Sequence, residues 1–185
     1  MLVANTSAIL EKLREGSIDF ALVEGNFDRE ECAYRLLSRE PFIAVCGPDS
    51  PFCGREVSLE ELCAAPLLLR EPGSGTRTIL ESALEERNLS VRDFAARIEL
   101  GNFTAIKHLA EQGAGITFLY EPVVRRELAE KRLFPIALRD FSVAHPFYFL
   151  FLRDSVFAAE HEAFFRFCQS RYRTSPPPDA PDPAS

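Results

Sequence analysis

The stretch Leu100–Tyr120, LGNFTAIKHLAEQGAGITFLY, constrains the fold more than any other part of the chain. Asn102 can cap a helix whose apolar side chains recur at Phe103, Ile106, Leu109 and Ala110, the spacing of one helical face. Gly113 falls where a left-handed stop is needed, and Gly115 shortens the path into Ile116–Tyr120. That run is apolar and β-prone, as a strand buried on both faces should be. Cap, helix, glycine stop and buried strand together make half of a parallel α/β unit.

The same grammar occurs near the start. Asn5-Thr6-Ser7 opens a helix with Ile9, Leu10 and Leu13 on one face, Gly16 stops it, and Ile18–Val23 follows as a strand. Asn5 with Asn102, Ser7 with Thr104, Ala8 with Ala105, Ile9 with Ile106 and Gly16 with Gly113 pair at one fixed offset. Shared caps and stops are common to any two such units, and the sharper reading is two lobes of related construction with a cleft between them.

Taken in order, the chain predicts a strand at Met1–Ala4, a helix over Thr6–Glu15, the strand Ile18–Val23 and a loop at Glu24–Asp28. Arg35–Cys46 reads as two extended pieces broken at Arg39-Glu40-Pro41, and Gly47–Pro51 as the first crossing between lobes. A short helix follows Ser58, with Glu60 and Glu61 at its positive end. Then come the strand Pro66–Arg70, a tight turn over Glu71–Gly75, a helix over Thr76–Asn88 and the strand Arg97–Leu100. Pro122 suits the first turn of a helix running to about Arg132, and Phe134–Leu138 reads as one strand. Pro146–Leu152 is sized for a central strand, and Ser155 is placed to cap a last helix burying Phe157, Phe164, Phe165 and Cys168. The tail 174–185, rich in proline, is expected to be disordered. Strands alternating with helices predict parallel sheets and an α/β fold.

A net charge of −7 argues against this chain gripping a phosphate backbone unaided. The five cysteines include no CxxC pair, so neither a zinc site nor a disulfide framework is signalled, and a reducing, cytoplasmic location is expected. No apolar run reaches the ~18–20 residues of a membrane span. GxxxxGK[ST], GxGxxG and HExxH are absent, and His108, His145 and His161 sit near no nucleophile motif, so no cofactor, metal or catalysis is expected.

What remains is a set of helix starts. Ser74, Gly75 and Thr76 open one helix and Asn102, Phe103 and Thr104 another, with Asn5–Ser7 a third. Backbone N–H groups and the helix dipole at such starts favour a small anion, and loops at the carboxyl ends of parallel strands gather on one edge. Each polar side chain could equally cap only its own helix. Phe103, Phe118 and Tyr120 are candidate walls for an apolar remainder, or core.

The order of pieces resembles the effector-binding domain of LysR-type transcriptional regulators. The residues that carry the resemblance are Gly16-x-Ile18-Asp19-Phe20-Ala21-Leu22, Pro72-Gly73-Ser74-Gly75-Thr76-Arg77 and Gly113-x-Gly115-Ile116. The resemblance implies two Rossmann-like lobes of the periplasmic-binding-protein type, joined by two crossover strands, with a ligand cleft between them. Lobe one would hold residues 1–50 and 139–173, and lobe two 51–138. It implies sensing of a small carboxylate or other metabolite anion in that cleft, with a pocket of Asn26, Ser74, Gly75, Thr76, Asn102, Phe103, Thr104 and Phe118. It also implies a dimer in the full-length protein, with DNA bound only through a domain this sequence lacks. The family's first strand and helix of the effector domain are expected to be missing too, leaving lobe one incomplete. A solute-binding protein or a dehydratase-like enzyme on the same scaffold are the alternatives.

Overall fold

The computed structural model describes residues 6–24 and 27–172. The expected strand at Met1–Ala4, Asn5, Asn26 and the tail 174–185 therefore lie outside the described residues. Two compact units emerge, one from the described residues of Met1–Glu40 and Ala144–Ser185, the other from Pro41–Val143. The strand ending at Cys46 and the turn after it, which the sequence reading gives to lobe one, lie in the second unit.

In the first unit, helix α1 (Thr6–Arg14) ends at Gly16, whose φ is +68°. Strand β1 (Ala21–Glu24) pairs antiparallel with β9 (Val143–Leu152), Ala21 facing Leu150. Strand β2 (Cys32–Cys46) flanks β9 on its other side. One face buries Ile9, Leu13, Ala21, Val23, Cys32 and Leu150; the other buries Leu37, Phe149 and Phe151 against Phe165 of α6 (Ala158–Arg171).

The second unit begins in the second half of β2, which runs antiparallel to β6 (Ile116–Tyr120), Phe42 facing Tyr120. Next to β6 comes β4 (Pro66–Arg70), parallel to it, and then β5 (Ala96–Leu100), parallel to β4. Helix α3 (Gly75–Glu85) crosses from β4 to β5, and α4 (Phe103–Glu111) from β5 to β6. Helix α5 (Glu121–Ala129) carries Pro122 in its first turn. Ile106, Ala110, Leu119, Val45, Leu68, Val124 and Leu133 form its core, each at most 1 % exposed. A capping box between Ser58 and Glu61 starts the short α2 (Leu59–Leu62), as the acidic first turn anticipates. Gly115 has no room for a side chain, because a Cβ there would stand 2.5 Å from the Pro66 carbonyl oxygen.

Five expectations are corrected. The sheets are not all parallel: β4, β5 and β6 are, joined by crossover helices, but β2 with β6 and β1 with β9 are antiparallel. Strand β2 runs unbroken through Arg39-Glu40-Pro41. Pro41 precedes the first residue of the ladder with β6, so its missing N–H takes no bond from that ladder. Phe134–Leu138 is two short strands, β7 (Phe134–Pro135) against β2 and β8 (Ala137–Leu138) against β3 (Glu56–Val57). In α6 only His161 and Phe165 are fully buried, while Phe157 and Phe164 are 55 % and 41 % exposed. Ser155 is not the cap residue; Phe157 holds that position, and the Ser155 hydroxyl accepts its N–H at 3.3 Å.

Candidate functional site

The register of β4 against β5 ends at Arg70 facing Leu100, so the turns that follow both strands leave from one edge of the sheet. The first turn is closed by the Ser74 N–H donating to the Glu71 carbonyl at 3.2 Å, with Gly73 at φ +87°. Ser74 then takes the cap position of α3, but its side chain makes no capping bond. The first N–H groups of a helix have no partner within it, and here no capping side chain supplies one. At the neighbouring start the opposite holds. The Asn102 carboxamide oxygen accepts the N–H groups of Thr104 at 2.7 Å and Ala105 at 3.3 Å, capping α4 with its own side chain.

The two turns are tied together. The Arg70 guanidinium lies 4.3 Å from the centre of the Phe103 ring and grips both oxygens of Glu71, at 2.7 and 2.8 Å. That pairing holds the Glu71 carboxyl down to about 2, from an ordinary 4.5. Arg77, in the first turn of α3, donates to Glu81 at 2.8 Å and to the Arg70 carbonyl at 3.2 Å, and pairs with Glu99 at 2.9 Å. Both guanidinium groups beside the turns are thus already engaged by carboxylates. A small cavity of about 10 Å³ beneath them is lined by Arg70, Thr76, Arg77, Thr117 and Phe118 among others. It has room for no more than about one water.

The turns that carry Ser74, Gly75 and Thr76 and Asn102, Phe103 and Thr104 thus leave the same sheet edge, Arg70 links the first strand end to Phe103, and Thr76 and Phe118 line one cavity. Phe118 is itself core, packed against Phe42 and Phe141 with ring centres 6.2 and 5.2 Å away. Tyr120 is also buried, against Phe42. Thr6 and Ser7, the described part of the third helix start, belong to the other unit. Sequence reasoning missed Arg70, Arg77 and Thr117; the only signal was an arginine at the end of a buried strand and another in the first turn after it. A larger cavity, about 510 Å³, lies in the first unit, but Asp19, Glu30, Glu31 and Asp154 line it. Its Arg153 donates to the carbonyls of Arg29 and Glu30, and the lining as a whole is predominantly acidic. Among the described residues no helix is long and apolar enough to cross a membrane.

The LysR substrate binding domain family profile matches residues 1–173. The HTH-type transcriptional regulator YeiE of Escherichia coli K12 is 32 % identical over 136 residues, 74 % of this chain and 45 % of that protein. The RuBisCO operon transcriptional regulator of Acidithiobacillus ferrooxidans is 25 % identical, over 90 % of this chain and 53 % of its own. The chain spans about half the length of these curated relatives. Among solved structures, the regulatory domain of CcmR from Synechocystis PCC6803, in complex with 2-PG, superposes with a TM-score of 0.77 at 21 % identity, covering 91 % of this chain and 80 % of that one. The effector binding domain of QuiR, in complex with shikimate, gives 0.69 at 16 % identity, covering 91 % and 78 %. Those likenesses share the two-unit mixed α/β fold, and with the profile match across nearly the whole chain they make this protein a member of the LysR substrate binding domain family.

Proposed function

We propose that the chain is the effector-sensing part of a LysR-type transcriptional regulator and binds a small carboxylate or comparable metabolite anion on the turns that follow β4 and β5. The observation that carries this reading is the start of α3. Its cap side chain makes no bond to the helix, leaving backbone N–H groups at the positive end of the dipole for a ligand. Ser74, Gly75 and Thr76 supply N–H and hydroxyl donors there, and Asn102, Phe103 and Thr104 form the adjoining wall. Since Arg70 and Arg77 are engaged by Glu71, Glu81 and Glu99, recognition rests on N–H and hydroxyl groups, which suits an anion of modest charge. The ligands of CcmR and QuiR, 2-PG and shikimate, support the reading, shikimate being a single carboxylate. In the full-length protein, working in the cytoplasm as a dimer, effector binding would shift the population of conformations presented to a DNA-binding module. No catalytic step is part of this role.

The test is a thermal-shift screen of small carboxylates that includes 2-PG and shikimate, followed by titration calorimetry on the best binder. Thr76→Val removes one hydrogen bond to a charged group, worth about 1.5–3 kcal/mol, so affinity should fall about 10- to 150-fold. An unchanged affinity in the variant, or a panel in which no anion raises Tm, would sink the proposal.

A further inference from the structure

The two arginines beside the turns are held in different ways. Arg77 has acceptors on three elements: Glu81 on its own helix, Glu99 on β5 and the Arg70 carbonyl at the end of β4. The Arg70 guanidinium is filled by one carboxylate, that of Glu71, which takes its fork with both oxygens at 2.7 and 2.8 Å. Of that pair the acid is the outer member, its side chain 44 % exposed against 18 % for the arginine. The guanidinium also lies 4.3 Å from the centre of the Phe103 ring, so its position does not depend on Glu71 alone. Glu71 reaches the second turn as well, since a Cβ on Gly101 would stand 3.9 Å from its Oε2. With its carboxyl held down to about 2, Glu71 is a full negative charge at neutral pH.

We propose that Glu71 sets the charge class of the effector: as a tethered carboxylate in the Arg70 fork, it admits monoanions and turns away molecules with a second anionic group. This inference rests on the anion site proposed above and names the class of ligand that site accepts. One anionic group is met by the N–H and hydroxyl donors at the start of α3. A second group on the same molecule, reaching toward Phe103, meets a carboxylate where it would need a guanidinium. It must then either sit beside a like charge or break the two bonds of the Arg70 fork and leave Glu71 unpaired, and both outcomes disfavour it. Arg77 offers no substitute, because losing one of its acceptors still leaves it engaged by the others. With a neutral amide in place of Glu71, Arg70 stays over the Phe103 ring and turns its fork to solvent, where a second carboxylate can take it.

Butyrate and succinate share a carbon chain and differ by one terminal carboxylate, so they serve as the matched probes. Each is titrated into the full chain at neutral pH and fixed ionic strength, with the affinity read from the backbone amide shifts of Ser74, Gly75 and Thr76. The unaltered chain should prefer butyrate. Glu71→Gln should raise the affinity for succinate about tenfold, the worth of one charge-assisted hydrogen bond, and change that for butyrate less than about twofold. Glu71→Ala should do the same. The succinate gain should vanish when Arg70→Met is added, and Glu99→Gln, which removes a like charge beside Arg77, should not reproduce it. An unmoved ratio of the two acids in Glu71→Gln overturns the proposal. So does an equal gain in Glu99→Gln, a gain that survives the loss of Arg70, or the failure of either acid to bind any of these chains. Thr76→Val tells the two readings apart. If it weakens butyrate while Glu71→Gln changes nothing, this inference falls and the anion site stands; if it leaves both acids unaffected, the anion site itself falls.

Discussion

Two segments, Thr6–Glu24 and Phe103–Tyr120, follow one local grammar and end in different surroundings. Their helix stops are the same object. Gly16 and Gly113 donate to the carbonyls of Leu13 and Ala110 at 3.1 Å, and Ser17 and Ala114 to those of Lys12 and Leu109 at 3.0 Å, the paired bonds of a left-handed helix end. Beyond the stop the likeness fades. β6 has five residues, all buried, between β4 and β2, whereas β1 buries only Ala21 and Val23 of its four, pairs with β9 among the described strands, and leaves Leu22 56 % exposed. The helices are tied differently too: the Thr6 hydroxyl donates to the Glu24 carbonyl at 3.2 Å, while α4 is held by its Asn102 cap and by Arg70 over Phe103. The difference teaches that a stop is made by its own few residues, while the depth of burial is set by which strands arrive on either side.

The contrast can be broken most directly at its matched apolar positions. Ile106 is 0 % exposed in a core closed on all sides, and Ile9 is 8 % exposed. Ile106→Ala should therefore cost about 4–5 kcal/mol and Ile9→Ala about 2–3 kcal/mol, read from urea unfolding curves. Equal losses would mean that the two helices are buried alike.

The stops are where the segments should agree. Gly16 and Gly113 sit at φ +68° and +75°, and a Cβ at either would meet nothing within 4 Å. Only backbone strain is at stake, so each Gly→Ala change should cost about 1–2 kcal/mol. Loss at one position and none at the other would show that the stop depends on its surroundings after all.

The smallest expected effect is a pH dependence. Glu71 has its carboxyl depressed to about 2, from 4.5, by the Arg70 hydrogen bond. A depressed acid stabilises the fold fully above its unfolded value, and that stabilisation fades as pH falls from about 4.5 toward 2. Arg70→Met should flatten the acid limb of the stability curve within that window. In the first segment, the Glu31 carboxyl is lowered by its hydrogen bond with Arg14, and Arg14→Met supplies the matching measurement. Curves that superpose with and without Arg70 would show that this half-buried pair contributes nothing to folding.

Much of the candidate site was legible because its pieces are short-range. Asn102 as a cap, the Glu71–Ser74 turn and the burial of Ile106 and Ala110 depend on residues within one helix turn of each other. Whether Ser74 caps α3 was not legible, because a serine there can either bond its helix or leave the N–H groups open. The engagement of Arg70 and Arg77 was hidden for another reason. Their partners include the Phe103 ring and Glu99, which come close only when β4 and β5 lie side by side.

By itself, the sequence determined where helices and buried strands fall and where most helices stop, since capping, glycine conformation and apolar spacing act over a few residues. Even there, Asn88 and Lys131 take the left-handed position, φ +57° at both, that ends α3 and α5, a role a lysine does not announce. Tertiary structure alone decided strand direction, the passage of β2 through Pro41 and the exposure of Phe157 and Phe164. These depend on which distant strand or helix supplies the facing hydrogen bonds and apolar surface, and no local pattern specifies that neighbour.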